Sequence, residues 1–158
     1  VAGIRTEAIY AIAESENIAV EFVDLPCDWL GVYINLWDLK RPYIGLSRRL
    51  VGDERRERCV LAHELGHHFT TSGWVVAASS PSAGYHVCRA ERIANDWAVD
   101  LLVPGDQFLE QVHRGRTMDE LAELFFVVPE FIQYRAAKIY RNGLRCPEIR
   151  NLCRKVSE

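Results

Sequence analysis

The stretch LAHELGHHFTT (61–71) constrains this chain more than any other, because it sets three histidines and a glutamate into a helical segment that is otherwise apolar. The segment runs from Asp53, a good N-cap with acidic residues behind it, to Gly73, a helix stop, so about five turns are expected. On a helix, residues four apart share a face, which points His63 and His67 the same way one turn apart. Two neutral imidazoles so placed can bind one Zn²⁺. Glu64 is offset by about 100° on the helical wheel, so its carboxylate can reach a water on the metal without being a ligand. HExxH therefore reads as two ligands and a general base. Gly66, with no side chain, allows a neighbouring segment to come close. A pair of helix histidines satisfied by polar neighbours is the plain alternative.

A catalytic zinc needs a third protein ligand and an open position. A third histidine six residues beyond His67 would fall on Gly73, which excludes that variant. The better candidate is Glu91, 24 residues after His67 in ERIAN (91–95), with Asn95 one turn on. Glu91 would bind the metal, and the Asn95 amide oxygen could accept the outer N–H of a ligand histidine and fix its tautomer. Two histidines and one carboxylate leave the zinc formally +1, able to acidify water and polarise a carbonyl. Otherwise Glu91 is a surface carboxylate paired with Arg89 or Arg92. Cys59, one turn before His63, is a buried inert thiol or a ligand. Cys88, one turn before Glu91, is read in the same way. His68 faces away from His67 and reads as a packing residue or a support to the ligands rather than a ligand itself. Tyr85 and His86 stand close before Glu91, where a donor to a developing oxyanion would be useful. If the site instead held a structural zinc, Cys59 or His86 would have to supply the fourth ligand.

HELGH followed by ExxANxxAxxLLxP (Glu91, Ala94, Asn95, Ala98, Leu101, Leu102 and Pro104) resembles the ImmA/IrrE family of gluzincin-like zinc metallopeptidases. Trp97 stands where that family usually has Phe. The likeness covers roughly residues 1–140. It implies a zincin-like fold, one Zn²⁺ on His63, His67 and Glu91, and Glu64 as base. It also implies a helix–turn–helix repressor as the protein substrate, cleaved to relieve repression.

The remaining chain reads as α+β. An amphipathic helix covers 4–16. Strands are expected at 18–25, 31–37 and 42–48, the last two flanking the turn DLKR as a hairpin or as a pair of successive strands. The strand at 42–48 is the candidate edge for pairing with an extended substrate. GWVVAASSPSAGYH (73–86) reads as a mobile loop, and a second helix spans about 87–103. Thr117 and Glu120 form a capping box, and Pro129 opens a further helix that Gly143 stops. The expected layout is a small antiparallel-containing sheet packed on the active-site helices (1–115), then a helix–turn–helix-like segment (116–158) packed on it. Leu121, Leu124, Phe125, Phe131, Ile132 and Ile139 are its candidate core.

Arg135, Lys138 and Arg141 are spaced to form a basic stripe, and Gln133 is the one amide near the helix start. Direct DNA binding through 117–141 is thus a weaker reading than a surface for a partner protein, and it underlies the alternative function: a non-catalytic regulator binding DNA or a repressor. From Arg135 onward seven Lys/Arg face two Asp/Glu, while the whole chain is −3. The basic end reads as a contact surface for nucleic acid or an acidic protein, or as a solvated helix face. Five cysteines without a CxxC pair point to a reducing compartment, the cytoplasm, and no run is apolar enough to span a membrane.

Overall fold

The computed structural model describes residues 3–26, 28–79, 89–144 and 146–154. By compactness the chain divides into residues 4–98 and a second unit of residues 99–158 with 1–3. The first unit holds helix α1 (Thr6–Ser15), strands β1 (Ala19–Val23), β2 (Gly31–Asn35) and β3 (Tyr43–Ser47), helix α2 (Glu54–Thr70) and strand β4 (Val75–Ser79). Helix α3 (Arg89–Leu102) begins in it and continues into the second unit.

The sheet is mixed, in the order β1-β3-β2-β4. β2 and β3 form the antiparallel hairpin expected from the DLKR turn, with Gly31 opposite Leu46. β1 runs parallel to β3, Ala19 opposite Tyr43. This changes one expectation. The strand at 42–48 is no edge, because β1 occupies its other side, and the edges of the described sheet are β1 and β4. A second correction concerns 73–86. Residues 75–79 pair antiparallel with β2 rather than forming part of a loop.

α2 starts where Asp53 accepts a hydrogen bond from the Arg56 N–H at 3.1 Å, with Glu54 and Glu57 favourably placed in the first turn. It ends at Thr70, and Gly73 follows with φ +88°. Every residue from Arg58 to His67 is buried, so this helix has no solvent face over nearly three turns. It packs against β2, β3 and β4. Its polar residues therefore lie inside the protein and need partners.

The second unit adds helices α4 (Gly105–His113), α5 (Met118–Phe125), α6 (Pro129–Arg141) and α7 (Pro147–Arg154). The capping box forms as its sequence predicts, Thr117 and Glu120 exchanging hydrogen bonds. Leu121, Phe125 and Ile132 are fully buried, whereas Leu124, Phe131 and Ile139 are half-buried. The basic stripe on α6 does not face outward as one surface. Arg135 is buried and binds Asp100 at 2.5 Å, Lys138 binds the same carboxylate at 2.6 Å, and Gln133 is buried too. Part of the basic end forms α7, which buries Ile149 and Leu152.

Candidate metal centre

α2 presents His63 and His67 on one face, and α3 brings Glu91 against them. His63 Nε2 lies 3.1 Å from Glu91 Oε2, and His67 Nε2 lies 3.1 Å from Glu91 Oε1. The two Nε2 atoms are themselves 3.1 Å apart, their rings nearly perpendicular. Three donor atoms so close all converge on one point. The edge of a tetrahedron with metal–ligand bonds of ~2.0–2.1 Å is ~3.3 Å, close to each of these separations. The three residues are the metal-compatible His/Cys/Asp/Glu cluster among the described residues.

The approach of α3 depends on Gly66. A Cβ there would strike the Ala94 carbonyl oxygen and lie 2.9 Å from the Ala94 carbonyl carbon and Cα. Backbone cannot yield as a side chain can, so Gly66 lets the two helices come close enough for Glu91 to meet the histidines.

A metallopeptidase family model, described as the IrrE N-terminal-like domain, matches residues 13–137. The chain belongs to the ImmA/IrrE family of metallopeptidases. No curated protein and no solved structure matches it.

The electrostatics of this ImmA/IrrE site suit a cation. Burial pushes the Glu91 carboxyl up, but hydrogen bonds and charge from His63 and His67 more than reverse this and hold it at about 2, so it stays ionised. Burial disfavours a charged His63, yet the hydrogen bond to Glu91, the charges of Glu64 and Glu91 and the bond to Asn95 raise its pKa overall. Asn95 Oδ1 lies 2.9 Å from His63 Nδ1. An amide oxygen only accepts, so Nδ1 of His63 donates to Asn95, and Nε2 is the nitrogen that meets Glu91 and would take a metal. His67 Nδ1 is buried without a hydrogen-bond partner among the described residues.

Glu64 is fully buried, on the α2 turn facing β2, with its carboxylate against Gly31. Cys59 is buried and stands outside the metal-compatible cluster found among the described residues. Tyr85, His86 and Cys88 lie outside the described residues. His68 now has a place. Its Nδ1 lies 3.0 Å from the Tyr33 hydroxyl, its Nε2 lies 3.4 Å from Glu16, and its ring meets Tyr33 and Phe69 edge-on. It ties α2 to β2 and to the end of α1. Trp97 stacks on Phe69, centroids 4.9 Å apart, so the aromatic position of the second motif joins α3 to the end of α2. The sequence reading missed Gly31, whose only signal was a small residue at the start of an apolar strand.

Proposed function

We propose that this chain is a cytoplasmic zinc endopeptidase of zincin type that cuts a helix–turn–helix repressor and so relieves repression. The carrying observation is the His63–His67–Glu91 triangle, three donors at 3.1 Å separations on two helices held close by Gly66. An N₂O donor set, which fills three of the four positions of a tetrahedral ion, suits catalytic zinc. In this reading His63, His67 and Glu91 hold the ion, and Asn95 keeps His63 in the Nδ1–H tautomer.

A zinc ion held there would supply an acidified water and a polarised substrate carbonyl. Glu64 accepts the proton of the attacking water and delivers it to the departing amine as the peptide bond breaks. An extended substrate needs an open strand edge. With β3 enclosed, β4 is the edge strand that packs on α2, and it takes over the part first read into 42–48. Tyr85 and His86 keep the proposed role of oxyanion donors on their sequence position alone.

The test mixes the purified protein, one equivalent of zinc and the repressor encoded beside its gene. A single cut is expected, absent with chelator and with Glu64→Gln, which should still carry one zinc per chain. Full cleavage by Glu64→Gln would sink the mechanism. Binding of the intact repressor or of DNA without any cut favours the non-catalytic regulator.

A further inference from the structure

Gly31 opens β2 in an ordinary extended strand, without the positive φ that favours glycine. Glycine weakens a strand, so its presence here calls for another cause. That cause is space. A Cβ at this position would strike Glu64 Oε1, approach Glu64 Cδ to 3.0 Å and approach Val60 Cγ1 to 2.7 Å. Nor can the backbone withdraw, because Gly31 is paired with Leu46 on one side and Ser79 on the other.

We propose that Gly31 is the positioning residue for Glu64, its missing side chain forming the seat that holds the carboxylate in place under β2. The proposal builds on the role of Glu64 as base. The carboxylate ends a flexible side chain, whereas Gly31 belongs to a strand hydrogen-bonded on both edges. When a methyl group is added at 31, the carboxylate gives way first. The atoms nearest the added methyl belong to Glu64 and Val60, not to His63, His67 or Glu91, so the metal ligands and the fold stay as they are. Gly31→Ala is thus expected to displace the base while leaving the metal bound.

The test uses the full zinc-loaded chain. In the wild type, nuclear Overhauser contacts are expected between the Gly31 Hα and Glu64 Hγ protons. Gly31→Ala should lower the urea unfolding midpoint at least about twice as much in the wild-type background as in Glu64→Asp, whose shorter side chain clears the added methyl. Gly31→Ala should retain one zinc per chain and lose about 10²-fold in kcat on the repressor with KM nearly unchanged. Adding Val60→Ala relieves the other clash and should not restore kcat. Equal midpoint losses in both backgrounds, or full kcat in Gly31→Ala, overturn the proposal. The stability cycle needs no turnover, so a wild-type protein that cuts nothing overturns the peptidase reading instead.

Discussion

Asn95 Oδ1 sits 2.9 Å from His63 Nδ1, a hydrogen bond from a histidine on one helix to an amide on another. Such outer partners of metal-binding histidines are typically worth 10–100-fold in metal affinity. Asn95→Ala is expected to weaken zinc binding by about that factor with little change in fold. Asn95→Asp keeps an acceptor and should bind at least as tightly as the wild type. Competition against a chromogenic chelator measures both. Unchanged affinity in the alanine variant would leave Asn95 no role in orienting His63.

Gly66 lies under the Ala94 backbone, three residues beyond Glu91. At an exposed helix position Gly→Ala stabilises by ~1 kcal/mol. Here overpacking against backbone costs about 1–3 kcal/mol and should win. Gly66→Ala is expected to lower the melting temperature of the metal-free protein. It should also weaken metal binding, because moving α3 outward carries Glu91 from His63 and His67. A stabilised Gly66→Ala would show that the helices are not limited by this contact.

His68 stands beside a proposed ligand yet turns to Tyr33 and Glu16. His68→Ala should keep zinc stoichiometry and affinity within about twofold. It should cost roughly 1 kcal/mol of stability, the scale of one net hydrogen bond. Tyr33→Phe should remove most of the same increment, and the double variant little more than either alone. A large fall in zinc affinity would reassign His68 to the metal.

Local spacing along the chain discloses some of these contacts and not others. The Asp53 cap, the His63/His67 pair and the Thr117–Glu120 box depend on residues within one or two helical turns, so spacing sufficed. Asn95 and Glu91 could be named as candidates because they share a helix face, but their meeting with His63 depends on Gly66 admitting α3. Where pairing is distant the reading failed. β3 looked like an edge because its parallel partner β1 lies more than twenty residues upstream. β4 was hidden among Ser and Gly, its partner β2 some forty residues earlier. Arg135 fitted a basic stripe by spacing alone, and Asp100, 35 residues away, draws it inward.

That last pair gives a pH signature. Burial pushes the Asp100 carboxyl up, but hydrogen bonds and charge from Lys138 and Arg135 more than reverse this, so its pKa in the folded chain is depressed. A depressed carboxylate contributes stability that is fully present above the unfolded value, about 3.9, and is lost as pH falls through the lower folded value. Asp100 is 55% exposed, which discounts its worth toward that of a surface pair, about 1 kcal/mol, although Arg135 is buried. Asp100→Asn is therefore expected to unfold at lower urea than the wild type at pH 7. The gap should shrink below about pH 4 as the wild-type carboxylate takes up its proton. Urea midpoints measured from pH 7 down to pH 3 check this. A gap that stays constant across the series would mean that Asp100 acts through packing rather than through its charge.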